Sequence, residues 1–203
     1  MTNHAVTPQA ILDFWFENAL DQPAALGQRM KVWFGGGPDV DAGITERFGA
    51  TVAVLGSELA DEWAAQGPRG RLAAIIGLDQ FSRSIHRKSP EAFANDPLAL
   101  RLAKEGLARG ENRQLPAAAR MFFYLPLEHS EIVEDQQASV RLFEALAAEA
   151  DEATRETFAS ALDYARRHAE VIEKFGRFPH RNDVLGRAST PEEEAWVKEH
   201  GGF

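Results

Sequence analysis

The sequence contains no cysteine, so disulfide bonds, thiolate nucleophiles and cysteine metal ligands are all excluded. No His-Glu-x-x-His sequence occurs either, and we therefore predict no metal site, although the 31 acidic residues leave a carboxylate-ligated metal open. No Gly-Lys-Ser/Thr follows the glycine run at 35–37, and no Gly-x-Ser-x-Gly elbow is present. We accordingly predict no cofactor.

Long apolar stretches are also missing. The run Met121–Leu127 covers seven residues, whereas a transmembrane helix needs about 20. Residues 1–8 have neither the basic region nor the apolar region that is typical of a signal peptide. Together with the lack of cysteine, these features predict a cytoplasmic protein that has no membrane segment.

Basic residues are in the minority, with 22 Lys and Arg against 31 Asp and Glu, a net charge of −9. An acidic chain repels nucleic acid and anionic lipid, so we predict neither as a partner. Two segments differ: residues 69–88 carry five basic against one acidic residue, and residues 166–187 carry six against three. If the fold brings them together they form one anion site; the alternative is ordinary ion pairing on separate solvated faces.

Runs of alternating apolar and polar residues, which are typical of strands, are absent, and helix signals dominate. Thr7-Pro8 and Thr190-Pro191 predict helix starts, and Gly176 predicts a helix end. Glycine–proline breaks bound one long helix over 39–65. The other helices are predicted over 8–16, 23–33, 69–87, 95–110, 116–126, 130–148, 153–175 and from 190 onwards. The chain of 203 residues is therefore expected to form a single all-α domain.

Ionisable residues interrupt the apolar stripes of several predicted helices. In the helix 69–87, an apolar stripe continues into Asp79 and Arg83, which are spaced to form an i, i+4 ion pair. Gln136 and His168 interrupt later helices in the same way. A buried charge costs several kcal/mol unless it is paired. Such residues therefore indicate either internal ion pairs that fix the packing or the wall of a pocket.

Two segments between predicted helices contain the densest chemistry. In residues 124–131, His129 beside Glu131 predicts a base with an orienting acid. Residues 175–182 combine aromatic rings with arginines, whose planar forks suit carboxylate or phosphate. The polar members of this second segment are Arg177, His180, Arg181 and Asn182. The structural alternative is a loop pinned by Phe178, with arginines that cap helix C-termini.

Four phrases in order connect this chain to a known family. They are Ile-Leu-Asp-Phe-Trp-Phe at 11–16, Leu-Asp-Gln-Phe-Ser-Arg at 78–83, Tyr-Leu-Pro-Leu-Glu-His-Ser-Glu at 124–131 and Phe-Gly-Arg-Phe-Pro-His-Arg-Asn at 175–182. The chain thereby resembles a largely bacterial family catalogued as a domain of unknown function, number nine-two-four. The resemblance implies a TPR-like stack of antiparallel helical hairpins, and it implies no activity.

The sequence leaves two functions open besides a purely structural role. The first is a basic pocket for a small anionic ligand, with or without turnover. Its catalytic candidates are His129, Glu131 and His180, and its ligand-binding candidates are Asp79, Gln80, Arg83, Arg177, Arg181 and Asn182. The second is a helical scaffold that holds the carboxylate of a peptide in a concave groove. The oligomeric state is left open.

A pocket and a groove differ in shape, which makes them distinguishable. For the pocket, we expect the segments 79–83, 129–131 and 177–182 to meet in space, although about 50 residues separate neighbouring segments in the sequence.

Overall fold

The computed structural model describes residues 6–203, apart from the side chains of Pro23 and Glu58. Within this part of the chain the regular elements are all helical and no strand occurs, as the sequence predicts. None of the helices in the same range combines the length and the apolar character that crossing a bilayer requires. The expectation of no signal peptide rests mainly on residues 1–5, which lie outside the described range.

Eleven α-helices make up the described chain. In order they are α1 (Pro8–Phe16), α2 (Leu26–Gly35), α3 (Pro38–Val54), α4 (Ala60–Ala65), α5 (Pro68–Ile76), α6 (Ser82–Ile85), α7 (Asp96–Ala108), α8 (Ala117–Glu128), α9 (Val133–Ala148), α10 (Arg155–Phe175) and α11 (Pro191–His200). Single π-helical turns at Leu55–Leu59 and Gly77–Phe81 join α3 to α4 and α5 to α6. Residues 38–65 and 68–85 are thus continuous helices, close to the predicted ranges.

The helix boundaries predicted at Thr7, Gly176 and Thr190 are confirmed. Thr7 accepts a hydrogen bond from the Ala10 N–H at 3.2 Å and starts α1. Thr190 and Glu193 form a reciprocal capping box at the start of α11. Gly176 ends α10 with a φ of 68°, in the left-handed region that glycine enters at no steric cost.

Two predicted boundaries are wrong. Helix α8 does not end at Pro126 but continues to Glu128, because a proline in the last turn removes only one intrahelical hydrogen bond. Helix α9 begins at Val133 and not at Ser130. The Ser130 hydroxyl instead donates to Asp135 at 2.8 Å. As a result His129 is the C-cap of α8.

Helix α5 is the centre of the fold. Its residues 70–76 are all buried, and it packs against α1, α4, α7 and α8. Helix α9 packs between α8 and α10. A repeat stack would place each hairpin only against its neighbours. The TPR-like arrangement is therefore not established by these contacts.

An ion pair is built into the core beside α5. Arg71, which is 1% exposed, bonds Glu111 at 2.7 Å and the Leu102 carbonyl at 3.2 Å. Gly106 of α7 makes room for it, since a Cβ there would lie 2.6 Å from Arg71 Cδ and 2.5 Å from Phe123 Cζ. The close approach of α5 to α7 brings the start of α7 next to the π turn that follows α5.

Candidate functional site

The π turn Gly77–Phe81 carries the first group of the site, the carboxylate of Asp79. Asp79 is 1% exposed. Its Oδ1 lies 3.0 Å from Nη1 of Arg83 and 2.6 Å from Nδ1 of His129, and its Oδ2 accepts from the side-chain amide of Gln80. π turns inside α-helices are frequent at functional sites. The buried acid is thereby saturated with donors.

These donors decide the charge of Asp79. Burial alone raises the pKa of its carboxyl group, but the positive charge of Arg83 and the hydrogen bonds from His129 and Gln80 outweigh burial and hold the pKa well below 3.8. Asp79 is therefore ionised at neutral pH. Ionised carboxylates only accept hydrogen bonds, so Nδ1 of His129 carries the proton in their contact.

The other ring nitrogen of His129, Nε2, makes no contact with Asp79. The His129 side chain is 14% exposed, and no hydrogen-bond partner of Nε2 occurs among the described side chains. Burial and the charge of Arg83 lower the pKa of His129 below 6.5, despite the opposing effect of Asp79. A neutral imidazole whose Nδ1–H is fixed by a carboxylate has a basic Nε2, which is the geometry of a general base.

The turn that holds His129 is fixed from behind by Gln136. The Gln136 side-chain amide donates to the carbonyls of Glu128 at 2.7 Å and Ser130 at 2.6 Å, and more weakly to Leu127 at 3.4 Å. Carbonyls in and after the last turn of a helix lack intrahelical donors, and the Gln136 amide satisfies those of Glu128 and Ser130. Gln136, which interrupts an apolar stripe in the sequence, thus positions His129.

Arg83 is shared by two carboxylates. Besides its contact with Asp79, it donates to Asp96 from Nη1 at 2.8 Å and from Nη2 at 3.0 Å. Burial lowers the pKa of Arg83, but the charges of Asp79 and Asp96 raise it further than burial lowers it. The positive charge of Arg83 is therefore fully compensated within the protein.

Arg181 is the fifth member of what we call the central cluster (Asp79, Arg83, Asp96, His129 and Arg181). It is 6% exposed, and its guanidinium group lies 4.9 Å from the ring centroid of Phe93 and 4.3 Å from that of Phe178. Its Nη1 donates to the His129 carbonyl at 3.1 Å. Its contact with Asp96, at 3.7 Å, is too long for a hydrogen bond.

Arg181 has no directly hydrogen-bonded carboxylate among the described residues. Its Nε is buried and has no hydrogen-bond partner among the described residues. Burial and the neighbouring charge of Arg83 lower the pKa of Arg181 to about 10. This is the opposite of the shift at Arg83, which two carboxylates bond directly, whereas the carboxylate of Asp96 lies 3.7 Å from Arg181.

Glu131 does not pair with His129, which corrects the expected base and orienting acid. It accepts the Phe178 N–H at 2.8 Å and two bonds from Arg187, at 2.7 and 3.0 Å. Asp79 occupies the position expected of Glu131, because the π turn brings its carboxylate to Nδ1 of His129. Glu131 instead fastens the loop after α10.

Arg177 and Asn182 also lie apart from the central cluster. Arg177 donates to both carboxylate oxygens of Glu193, at 2.6 and 2.8 Å. Asn182 donates to Ser189 at 3.0 Å. Both residues therefore tie the loop after α10 to the start of α11, and their contact with a ligand stays a prediction.

His180 packs away from His129, against aromatic rings. Its ring centroid lies 5.6 Å from those of Phe178 and Phe203, and Nδ1 is buried with no partner among the described residues. Burial and the charge of Arg181 lower the pKa of His180 to about 4. The predicted segments 79–83, 129–131 and 177–182 thus come together. Of the predicted site residues, Asp79, Arg83, His129 and Arg181 are linked by direct contacts, and Gln80 lies beside Asp79.

Glu128 and His168 form a second buried pair. The sequence analysis singles out His168 but does not predict its contact with Glu128. Each is 4% exposed, and Glu128 Oε1 lies 3.3 Å from His168 Nδ1, which also lies 2.8 Å from the Tyr164 carbonyl. Burial, with Asp79 nearby, raises the pKa of Glu128 to about 8, and burial lowers that of His168. Both groups are neutral near pH 7.

Other features of the site gave no sequence signal strong enough to identify them. Asp96 resembles any acid in a first helical turn, and Phe93 any loop aromatic.

Two shallow depressions of about 190 and 170 Å³ lie elsewhere on the surface, beside Arg29 and beside Pro116. Within residues 6–203, no three His, Asp or Glu side chains are arranged to hold a metal ion.

Comparison with known proteins identifies relatives of the whole chain. A family model described as a bacterial protein of unknown function, DUF924, matches residues 11–201. A solved structure of a protein of unknown function from Agrobacterium tumefaciens is similar, with 32% sequence identity and a TM-score of 0.78. The similarity covers 95% of this chain and 97% of the other. No curated protein matches.

Proposed function

The chain belongs to the DUF924 family of bacterial proteins of unknown function, and we propose that its central cluster binds a small anionic ligand. Arg181 is the anchor of this site. His129 lies next to it, since Arg181 Nη1 donates to the His129 carbonyl.

The observation that carries the proposal is the unfinished pairing of Arg181. Arg83, Arg177 and Arg187 each direct two N–H groups at one carboxylate. Arg181 has only a 3.7 Å contact with Asp96, which already serves Arg83. A buried cation is costly unless a counter-charge and hydrogen bonds compensate it. A bound anion supplies the direct hydrogen bonds that Asp96 does not give Arg181.

The surroundings of Arg181 favour a ligand of few atoms. The rings of Phe93 and Phe178 hold the guanidinium group in one orientation, so little conformational freedom is lost on binding. Side-chain exposure is only 8% at Arg181 and 14% at His129. Side chains that are exposed to this small extent can contact only a few ligand atoms, which suits one carboxylate better than a long peptide backbone.

Any turnover at this site rests on His129. Its Nε2 is the basic atom beside the proposed anion, and Asp79 fixes the ring through Nδ1. Glu131 and His180 contact neither ring nitrogen of His129, so we assign them no catalytic role. Asp79 is then a positioning residue.

Binding of a peptide carboxylate is the second candidate. Ile132 and Val133, which follow Glu131 directly, are 49% and 37% exposed, and they offer an apolar surface for the side chain of a bound peptide. In this case Arg181 would bind the terminal carboxylate of the peptide.

A thermal-shift screen tests both candidates. An anion that binds only the native state stabilises it by about 2.7 kcal/mol at one hundred times its Kd. For a chain of this size that gain corresponds to a rise in Tm of about 5–10 °C. The screen contains small carboxylates, phosphates and nucleotides, together with acetylated peptides of increasing length that end in a free carboxylate.

The matched variants are Arg181→Ala and Arg177→Ala, which lie in the same loop. We expect Arg181→Ala to abolish the shift. Arg177→Ala should retain the shift at a lower baseline Tm, because Arg177, unlike Arg181, is fully paired with a carboxylate of the protein. A shift that grows with peptide length favours the peptide scaffold. A screen without any shift, or a shift that survives Arg181→Ala, contradicts the proposed site.

A further inference from the structure

We infer that the central cluster binds a monocarboxylate together with one proton, and that the proton is taken up by Nε2 of His129. The inference rests on the proposed function and adds the class of ligand and the pH regulation of the same site. It follows from the charges that the cluster already contains.

The fixed charges of the central cluster cancel without a ligand. Arg83 and Arg181 contribute two positive charges, and Asp79 and Asp96 contribute two negative ones, all within one set of contacts. The nearby pair of Glu131 and Arg187 also cancels. A bound anion would therefore leave one buried negative charge in excess. Since an uncompensated buried charge costs several kcal/mol, binding is favourable only with a compensating proton.

The ionisable groups around the cluster come from every element that packs against it. They are Asp79 and Arg83 on the π turn and α6, Asp96 on α7, Glu128 and His129 at the end of α8, Glu131 before α9, His168 on α10, and His180, Arg181 and Arg187 in the last loop. Most of them are unable to accept the proton. The carboxylates of Asp79, Asp96 and Glu131 are bonded to cations, and the arginines are already protonated.

The remaining candidates are Glu128 and the histidines. Glu128 is already protonated near pH 7, because burial raises its pKa to about 8. His168 is stacked under the Phe203 ring at 3.7 Å, and His180 also packs against that ring. Among the histidines that the structure describes, His129 alone combines an Nε2 without a described hydrogen-bond partner, contact with Arg181 and a carboxylate that stabilises its protonated form.

In the liganded site, His129 donates from both ring nitrogens. Nδ1 donates to Asp79, and Nε2 donates to the carboxylate that Arg181 also holds. No covalent bond changes; the proton moves from solvent to Nε2 as the anion enters. Because one proton balances one negative charge, the site prefers a monocarboxylate to a doubly charged phosphate.

The sign of the pH dependence follows. In the free protein, burial and Arg83 hold the pKa of His129 below 6.5, and a bound anion raises it. Affinity therefore increases as the pH falls, by up to about tenfold per pH unit, and levels off below the pKa of free His129. Carboxylates stay ionised above about pH 5, so the ligand does not cause this trend.

Long-range ¹H–¹⁵N NMR of the histidine rings tests the inference directly. The probe is sodium acetate at constant ionic strength near neutral pH. We expect acetate to shift the Nε–H signal of Arg181 and to convert His129 Nε2 from an unprotonated to a protonated nitrogen. Glu128→Gln should leave both changes intact, which excludes Glu128 as the proton acceptor. In His129→Gln, the affinity for acetate should lose its pH dependence.

The possible results separate the two proposals. If acetate shifts the Arg181 signal while His129 Nε2 stays unprotonated, proton uptake is wrong and the anion site stands. If neither signal changes up to saturating acetate, the proposed site fails and the inference fails with it. Tighter binding of inorganic phosphate than of acetate would overturn the assignment to monocarboxylates.

Discussion

Burial acts on two neighbouring carboxyl groups with opposite results. Asp79 and Glu128 are both almost fully buried. Asp79 has Arg83, His129 and Gln80 as donors, and its pKa falls. Glu128 has only a 3.3 Å contact with a neutral histidine, and its pKa rises to about 8. Hydrogen-bond partners, and not depth, therefore decide which acid is ionised.

Glu128→Gln should stabilise the protein increasingly as the pH rises. The folded carboxyl group keeps its proton up to about pH 8, whereas the unfolded one loses it near 4.5. The contribution of Glu128 to stability is thus complete below 4.5 and is lost as the pH rises to about 8, by about 1.4 kcal/mol per pH unit. Urea denaturation from about pH 5 to about pH 8 measures the gap, which should reach a few kcal/mol.

The control is Glu134→Gln, at an exposed position. A gap between wild type and Glu128→Gln that stays constant across the pH range would show that Glu128 is ionised in the folded protein, against this account.

Asp79→Asn should be much more harmful than an equivalent change at the surface. It leaves Arg83 and His129 without their shared carboxylate in a buried site, and breaking a buried pair costs about 3–5 kcal/mol. Asp41→Asn is the matched variant, because Asp41 pairs with Arg87, whose side chain is 55% exposed. Exposed pairs contribute about 0–1 kcal/mol. Equal urea midpoints for the two variants would show that Asp79 is not a structural anchor.

Residue identity alone predicted part of this site. Asp79 and Arg83 are identified because they interrupt an apolar helical stripe, and His129 and Arg181 because they lie in the two segments of dense chemistry between predicted helices. The partner of His129 was assigned wrongly to Glu131, its neighbour in sequence. The correct partner lies 50 residues away. Proximity in the chain says little about such contacts, since only tertiary packing brings them together.

At the level of helices, the tightest constraint is the crossing of α5 and α7. Gly106 leaves room there for Arg71 and Phe123, which are both almost fully buried and unable to move into solvent. The buried guanidinium group in turn depends on Glu111. A single methyl group at this crossing would disturb packing and ion pair together.

Gly106→Ala should therefore destabilise the protein by about 1–3 kcal/mol, the usual cost of overpacking a core. Gly43→Ala is the matched control, because Gly43 lies within α3 and its Cβ would meet nothing within 4 Å. Replacement of an unhindered helical glycine gains about 0.5–1 kcal/mol. Thermal unfolding should thus move in opposite directions for the two variants. A gain in Tm for Gly106→Ala would contradict the close packing of α5 and α7.

Helix ends were predictable where a local signal fixes them. Thr7, Thr190 and Gly176 satisfy or terminate the helix backbone with their own atoms or conformation. The boundaries predicted at Pro126 and Ser130 are wrong. Buried neighbours keep α8 helical past the proline, and the Ser130 hydroxyl donates to Asp135. The π turn at Gly77–Phe81 leaves no pattern in the sequence, yet it positions Asp79 and Gln80.

At the scale of the whole molecule, the two basic segments of this acidic chain meet where Arg83 and Arg181 share Asp96. Most of their positive charge is neutralised by carboxylates on other helices. Charge counting along the sequence left such a meeting open beside ordinary ion pairing on separate faces, and it overstated the excess of positive charge. What remains is one guanidinium group without a directly hydrogen-bonded carboxylate, that of Arg181, and the proposed anion site depends on it.

The most direct test of that site is a crystal structure of the protein with acetate. The account predicts ordered density for the anion within hydrogen-bond distance of Arg181 Nη2 and His129 Nε2, and its loss in Arg181→Ala crystals soaked in the same solution. Acetate bound only elsewhere, or a central cluster occupied by water alone at saturating acetate, would contradict it.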